Sequence, residues 1–231
     1  VMNQVTSKDG TTIAYERSGR GPALILVDGA LCSRSFGPSG KLAPLLAEKF
    51  TVVTYDRRGR GQSPAAPSYP PARENEDLAT LIKECGGSAS LLGLSSGAAL
   101  ALHAAAEGIG VTRVVAYEAP YVDDVGQQGG DIHEAELKRL VQSGERGAAV
   151  KYFMKDMVGL PVPVVLLMRL MFWVWPKLEA GAHTLPYDAA VMTGYKAAIA
   201  DGHAILVKVD GDGQMDGRLV GNFVAPIARG E

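Results

Sequence analysis

The sequence predicts an α/β fold with a doubly wound, mostly parallel sheet, and two patterns carry that prediction. Short runs of consecutive apolar residues recur along the chain, and helical patterns lie between them. Continuous apolar strands are typical of a parallel sheet covered on both faces, and their alternation with helices indicates βαβ units. With 231 residues, 47% apolar and 21% charged, the chain has a globular composition.

The predicted elements follow one another in a regular order. Asp9-Gly10 predicts a hairpin turn, and its second strand is residues 12–17. Apolar strands are predicted at residues 23–27, 51–55, 89–92, 113–117 and 204–209. Helices are predicted at residues 41–49, 74–85 and 96–107.

The alternation stops between about residue 124 and residue 200, where the pattern is mostly helical. We therefore predict a core made of residues 1–123 and 201–231, with residues 124–200 inserted as a helical cap. Aromatic and methionine residues in the cap follow helical spacing, which predicts core packing between cap and sheet, with part of the set lining an apolar pocket. They are Phe153, Met154, Met157, Met168, Met171, Phe172, Trp173 and Trp175.

Residues 157–175 are nearly long enough to span a bilayer. They contain Pro161, Pro163 and Arg169, and a central arginine is costly in lipid. We therefore predict a buried or half-exposed cap helix here and no membrane partner.

Charge and cysteine content exclude several functional classes. The net charge is −2 with no block of one sign, so nucleic-acid binding is not expected. Cys32 and Cys85 are too few for a disulfide framework and lack metal-ligand spacing. The N-terminal residues show no signal peptide. We expect a cytoplasmic protein without metal or cofactor.

Residues 93–97 read Gly-Leu-Ser-Ser-Gly, a G-x-S-x-G pattern placed between a predicted strand and an alanine-rich helix. A nucleophile elbow requires this context, because small flanking residues allow a tight turn that exposes the serine. Ser95 is the predicted nucleophile. The amide of Ser96, at the start of the helix, is predicted to stabilise an oxyanion.

Three segments together resemble the α/β-hydrolase superfamily: the Val-Asp-Gly-Ala of residues 27–30, the Asp-Arg-Arg-Gly-Arg-Gly-Gln-Ser of residues 56–63, and the elbow. The second is similar to the family's D-x-R-G-x-G-x-S turn, and the inserted helices resemble the family's cap. The resemblance implies a small esterase-like hydrolase, with a second oxyanion donor at the amide of Ala30. Asp28 stands where the family has histidine in its His-Gly pair.

Arg57, Arg58 and Arg60 in the second segment do not belong to a phosphate-binding pattern. We interpret them as a solvated turn with structural hydrogen bonds, and binding of a substrate anion by one of them is the alternative.

In this family the catalytic histidine follows the last strand, but this sequence has no histidine after His203. His203 precedes the last predicted strand, which would place it far from Ser95. It remains a candidate base, as do His133 and His183 in the cap, whereas His103 is predicted to be a helix-surface or packing residue. Asp216 and Asp210 are the candidate acids after that strand. The family's final strand and helix are therefore predicted to be missing or rebuilt.

Three functions remain open. The first is a serine hydrolase that cleaves a small apolar ester through an acyl-enzyme on Ser95, with a weakened or non-standard base. The second is a ligand-binding protein that keeps the pocket without efficient chemistry, which the missing histidine favours. The third is a hydrolase with a shortened C-terminus whose open sheet edge pairs with a second copy, giving a homodimer.

Overall fold

The computed structural model describes residues 2–66, 70, 72–120, 126–193 and 206–209. Within these residues the strands form a 7-stranded sheet in the order β1-β2-β4-β3-β5-β6-β7. The strands are β1 Met2–Thr6, β2 Thr12–Ser18, β3 Ala23–Val27, β4 Thr51–Tyr55, β5 Ala89–Leu94, β6 Val111–Tyr117 and β7 Leu206–Val209.

Strands β4, β3, β5, β6 and β7 are parallel to one another, whereas the pairs that involve β1 and β2 are antiparallel. β1 pairs with β2, and β2 with β4, in antiparallel register. The pairs β3–β4, β3–β5, β5–β6 and β6–β7 are all parallel. The predicted hairpin and mostly parallel sheet are confirmed, and β3 and β4 have the predicted ends.

Helices α1 Ser39–Leu46, α2 Ala72–Glu84 and α3 Ser96–Ala106 connect the parallel strands. One apolar cluster packs α2 and α3 against the sheet, around Ile25, Leu81 and Leu91. A second cluster, which includes Leu26, Phe50 and Val115, packs on α1. The buried sheet fixes where each strand ends, and therefore where the loops after β3, β4 and β5 begin.

A helical insertion lies between β6 and β7. It contains α4 Gly126–Gln142, α5 Arg146–Tyr152, a π-helical turn Phe153–Met157, α6 Val162–Leu170, α7 Trp175–Gly181, a 3₁₀ turn Ala182–Thr184 and α8 Leu185–Thr193. We call residues 126–193 the insertion. The division of the chain into core and cap at residues 124 and 200 stays a prediction.

The segment from residue 157 to residue 175 is not one helix but the short α6 followed by a turn. Phe153 and Trp175 are buried, as the core-packing prediction requires, but Phe172 and Trp173 are 80% and 56% exposed. Within α6, Val165 is buried, whereas Leu167 and Leu170 are 64% and 77% exposed. The expectation of a buried or half-exposed helix is therefore wrong for most of α6. None of the described helices is long and apolar enough to cross a membrane.

β7 lies at one edge of the described sheet. The missing or rebuilt final strand and helix would fall on residues 210–231, outside the described residues. The homodimer through this edge stays a prediction for the same reason.

Candidate active site

The turn between β5 and α3 holds Ser95 in a conformation that residues other than glycine rarely adopt, with φ 53° and ψ −124°. A Cβ on Gly93 would lie 2.5 Å from the Ala98 Cα, and one on Gly97 would lie 2.1 Å from the Val27 carbonyl oxygen. Both positions therefore require glycine. This tight turn leaves the Ser95 residue partly exposed at the end of the strand.

The register of the sheet brings the loop after β3 against this turn. Val27 pairs with Gly93 in the parallel ladder of β3 and β5, so Gly29 and Ser95, each two residues further along, are neighbours. A Cβ on Gly29 would lie 3.1 Å from the Ser95 Cβ and 3.0 Å from the Leu94 carbonyl oxygen. Glycine at position 29 permits this close approach.

Backbone strain is concentrated at the carboxyl ends of the central strands. Among the described residues, the non-glycine residues with positive φ are Leu31 (61°), Ser95 (53°) and Glu118 (45°). They follow β3, β5 and β6, which are adjacent strands. Such conformations persist where the surrounding structure holds them, and they cluster at functional sites.

The two predicted oxyanion donors lie on the segments that adjoin Ser95. Ala30 follows Gly29 in the loop after β3, and Ser96 is the first residue of α3. The first amides of a helix have no partner within it and lie at its positive end. The two segments therefore bring main-chain amides to the carboxyl ends of β3 and β5, where Ser95 lies.

The turn after β4 is not the solvated turn that we predicted. Arg57, Arg58 and Arg60 are only 1%, 0% and 4% exposed. The predicted structural hydrogen bonds are present, but the turn is not solvated, because each guanidinium group is paired with a buried carboxylate. The Asp56 carboxylate closes the turn by accepting from the amides of Arg34 at 2.8 Å and Gln62 at 3.0 Å.

Two of the arginines bind carboxylates of α2. Arg57 donates through Nε and Nη2 to the two oxygens of Glu74, at 2.6 Å and 2.9 Å. Arg58 donates to Asp77 through Nε at 2.7 Å and to Asp9 through Nη1 at 2.8 Å. The charge of each guanidinium is compensated inside the protein, so substrate-anion binding by these two residues has no support from the geometry.

Asp188 of α8 joins the insertion to this turn, and the sequence analysis did not identify it. Its Oδ1 accepts from Arg57 Nη1 at 2.9 Å and from Ser96 Oγ at 2.8 Å, and its Oδ2 accepts from Arg60 Nη2 at 2.6 Å. Burial would raise the pKa of this carboxyl, but Arg60, Arg57 and Ser96 hold it below its usual value. A signal existed in the sequence: Asp188 stands in the mostly apolar helix LPYDAAVMT, and a carboxylate buried in such a helix needs a partner.

Asp28, which replaces the family's histidine, is a buried acid beside the loop. It is 2% exposed, and Ser39 Oγ donates to its Oδ2. Burial raises the pKa of this carboxyl against the opposing effects of Ser39, Arg60 and Arg57. Burial, followed by the charge of Asp28, also raises the pKa of the Cys32 thiol to about 11, so Cys32 is protonated at neutral pH.

Each of the histidines that the structure describes has one ring nitrogen hydrogen-bonded to a group other than Ser95. His103 Nε2 lies 3.2 Å from the Val191 carbonyl oxygen, which agrees with its predicted packing role. In the insertion, His133 Nδ1 lies 2.8 Å from the Tyr152 hydroxyl and His183 Nδ1 lies 3.0 Å from the Ala180 carbonyl oxygen.

The remaining candidates fall outside the described residues. They are His203 as the base and Asp210 and Asp216 as acids, so their roles stay predictions. Within the described part of the chain, no group of three or more His, Cys, Asp or Glu side chains could hold a metal ion.

The surroundings of the loop after β3 are apolar on the side of the insertion. Leu31 belongs to the buried cluster of the insertion together with Phe153 and Trp175, and Ala30 and Phe36 pack against that cluster. The site thus combines a strained serine, adjoining main-chain amides and an apolar wall.

A mostly parallel sheet between helices, a helical insertion and a serine on a strained strand-to-helix turn are typical of the α/β-hydrolase fold. Residues 23–229 match the alpha/beta hydrolase family. The chain belongs to this family, which confirms the resemblance seen in the sequence.

Solved structures agree with that assignment. An alpha/beta hydrolase from Sphaerobacter thermophilus DSM 20745 is 42% identical to this chain, with a TM-score of 0.82, over 99% of this chain and 87% of the other. The esterase RhEst1 from Rhodococcus sp. ECU1013 is 19% identical, with a TM-score of 0.63, over 90% and 80% of the two chains. A haloalkane dehalogenase variant from Bradyrhizobium elkanii is also 19% identical, with a TM-score of 0.63, over 100% and 96%. The last two share the fold.

Proposed function

We propose that this protein is a serine hydrolase that cleaves a small apolar carboxylic ester through an acyl-enzyme on Ser95. The observation that carries the proposal is the juxtaposition of Ser95 with the loop after β3. The serine is held at φ 53°, and its Cβ is 3.1 Å from where a Cβ on Gly29 would lie. Strain at a partly exposed serine beside main-chain amides fits a nucleophile and an oxyanion hole.

In the proposed reaction, Ser95 Oγ forms a bond to the ester carbonyl carbon, and the carbonyl π electrons move onto its oxygen. The amides of Ala30 and Ser96 bind that oxyanion. When the carbonyl re-forms, the bond to the alkoxy group breaks, and the proton from Ser95 leaves with the alcohol. Water then attacks the acyl-enzyme in the same way and releases the acid.

The proton requires a base, and His203 is the proposed candidate, with Asp216 or Asp210 to orient it. Removal of a base from a serine hydrolase leaves weak turnover that comes from binding and the oxyanion hole. The proposal therefore includes a slow enzyme if none of the histidines reaches Ser95.

The apolar class of substrate follows from the contacts of the loop. Ala30 and Leu31 pack with the cluster of the insertion, which contains Phe153 and Trp175. An acyl chain attached to Ser95 beside this cluster would lie against apolar side chains rather than charges. The esterase from Rhodococcus shares the fold, which is compatible with this substrate class.

A second candidate is a ligand-binding protein of the same fold without efficient chemistry. The observation that favours it is that none of the described histidines is hydrogen-bonded to Ser95; one ring nitrogen of each instead lies against Val191, Tyr152 or Ala180. Such a protein would bind esters in the same apolar site and release them unchanged.

The experiment combines fluorophosphonate labelling with turnover of p-nitrophenyl acetate. We expect stoichiometric labelling at Ser95 and turnover that Ser95→Ala abolishes. Ser90→Ala is the matched control, because Ser90 lies in β5 and bonds the Thr112 hydroxyl instead. Labelling without turnover would indicate an incomplete base, whereas a protein that shows neither labelling nor turnover is the ligand-binding alternative.

A further inference from the structure

The peptide unit that joins Gly29 to Ala30 has its carbonyl held by a buried charge. Arg60 Nη1 donates to the Gly29 carbonyl oxygen at 2.7 Å, and Arg60 is 4% exposed. In a trans peptide the carbonyl and the amide of one unit point in opposite directions. A donor that fixes the Gly29 carbonyl on one side therefore fixes the Ala30 N–H on the other.

Because position 29 is glycine, the orientation of the peptide unit between Gly29 and Ala30 has to be fixed by another group. The close approach to Ser95 excludes a side chain there, but glycine leaves the neighbouring peptide units free to rotate. If the unit between Gly29 and Ala30 turned over, a carbonyl oxygen would replace the N–H and repel a developing oxyanion. A charged donor on the carbonyl opposes that rotation and also polarises the amide.

The preceding peptide unit is held in the same way. Arg57 Nη1 lies 3.2 Å from the Asp28 carbonyl oxygen. Consecutive carbonyls of the loop after β3 are thus bound by two guanidinium groups from the loop after β4. The orientation of two successive peptide units in the loop after β3 is therefore fixed by hydrogen bonds from the loop after β4.

Asp188 holds both guanidinium groups in place. It accepts from Arg57 Nη1 at 2.9 Å and from Arg60 Nη2 at 2.6 Å, and it is fully buried. It also accepts from the hydroxyl of Ser96 at 2.8 Å. One carboxylate of the insertion therefore bonds Ser96 directly and is linked through Arg60 to the peptide unit of Ala30, so it connects the two segments that carry the proposed oxyanion donors.

We infer that Arg60 and Asp188 are positioning residues for the oxyanion hole: Asp188 orients Arg60, and Arg60 keeps the Gly29 carbonyl turned away from Ser95 and the Ala30 amide turned toward it. This inference rests on the proposed serine hydrolase function. It assigns the insertion a part in catalysis that does not require contact with the substrate.

Arg58 supplies the matched control. It belongs to the same turn and is equally buried, but its guanidinium group bonds Asp77, Asp9 and the Arg73 carbonyl oxygen. Removal of either arginine takes a charged partner away from a buried carboxylate, Asp188 for Arg60 and Asp77 for Arg58, and lowers stability. A difference in activity between the two variants therefore reports on position rather than on stability.

The test compares Arg60→Gln with Arg58→Gln on p-nitrophenyl acetate, with melting temperature measured in parallel. We expect both variants to lower the melting temperature. Arg60→Gln is expected to lower kcat about 100-fold, the usual effect of a lost oxyanion donor, with KM within about twofold. Arg58→Gln should keep kcat within about twofold of the unchanged protein.

A transition-state analogue gives a readout that general destabilisation does not move. An alkyl trifluoromethyl ketone forms a bond from its carbonyl carbon to Ser95 Oγ, the carbonyl π electrons move onto its oxygen, and the Ser95 proton passes to the base, which leaves an oxyanion. The matched secondary alcohol has no carbonyl and cannot form this bond. In Arg60→Gln we expect the affinity for the ketone to fall about 100-fold and the affinity for the alcohol to stay within about twofold.

Two further variants keep the test decisive if Arg60→Gln does not fold. Arg60→Lys keeps the charge and a donor, and we expect it to lose about tenfold in kcat. Asp188→Asn keeps the shape but not the charge and is expected to show the same selective loss of ketone affinity.

The inference is overturned if the folded Arg60 and Asp188 variants lose affinity for ketone and alcohol equally, or keep the kcat of the unchanged protein. Absence of labelling at Ser95 in the unchanged protein would instead overturn the proposed function, and this inference with it.

Discussion

Gly29 leaves no room for a side chain beside Ser95, since a Cβ on Gly29 would lie 3.1 Å from the Ser95 Cβ and 3.7 Å from its Oγ. Gly29→Ala would place a methyl group against the nucleophile and against the Leu94 carbonyl oxygen at 3.0 Å. We expect displacement of Ser95 or of the loop, and a loss of at least about tenfold in kcat/KM on p-nitrophenyl acetate.

Gly10→Ala is the control for that variant, because the added methyl group meets nothing within 4 Å in the hairpin between β1 and β2. Its kcat/KM should not change. If Gly29→Ala were as active as Gly10→Ala, the loop after β3 would not form part of the site.

Gly97→Ala is expected to destabilise the fold rather than only the site. Its Cβ would lie 2.1 Å from the Val27 carbonyl oxygen and 2.6 Å from that of Asp28, and backbone atoms of a buried strand cannot move aside. We expect a loss of about 3 kcal/mol in the free energy of unfolding, measured by urea titration. Gly144→Ala has φ +76° but open space around it, so about 1 kcal/mol is expected there. Equal losses in the two variants would contradict the steric account of the elbow.

From the raised pKa of the Asp28 carboxyl we expect a specific dependence of the free energy of unfolding on pH. Burial raises the pKa of its carboxyl in the folded protein, so above the unfolded pKa the folded state binds more protons than the unfolded state. Its contribution to the free energy of unfolding is therefore present at low pH and is lost as the pH rises through the folded pKa. Asp28→Asn removes the titration, and we expect the stability of the unchanged protein relative to this variant to fall in urea titrations as the pH rises above about 4, the pKa of an unfolded aspartate. A difference that is constant or grows with pH would refute the assignment.

From the raised pKa of the Cys32 thiol we expect its alkylation to be slow at neutral pH. Burial and the nearby Asp28 raise its pKa to about 11, and the thiolate is the reactive form. In a Cys85→Ser variant, the rate of reaction with iodoacetamide should rise tenfold per pH unit between pH 7 and pH 9. A rate that levels off near pH 8.5 would show an ordinary exposed thiol, and that variant unfolded in urea provides this comparison.

The sequence alone predicts those elements whose structure is determined by their own residues. The apolar runs of β3 and β4 predicted both strands to the residue, because strands buried on both faces contain little else. Gly93 and Gly97 predicted the elbow, since no other residue fits its space. Local chemistry determines these features, so a local pattern identifies them.

The buried charge network could not be predicted in this way. Arg57 and Asp188 are 131 positions apart, and nothing in the residues around Arg57 indicates that a carboxylate from α8 will cover it. A cluster of three arginines in a glycine-rich turn has the composition of a solvated loop. The packing of α2 and of the insertion on the turn supplies the buried carboxylates that pair with these guanidinium groups.

The most direct measurement of the central claim is a crystal structure of the protein after reaction with a fluorophosphonate. The account predicts a covalent bond from Ser95 Oγ to phosphorus, with the phosphonyl oxygen about 2.7–3.1 Å from the amide nitrogens of both Ala30 and Ser96. A phosphonyl oxygen that points away from these amides, or an adduct on any other residue, would contradict it.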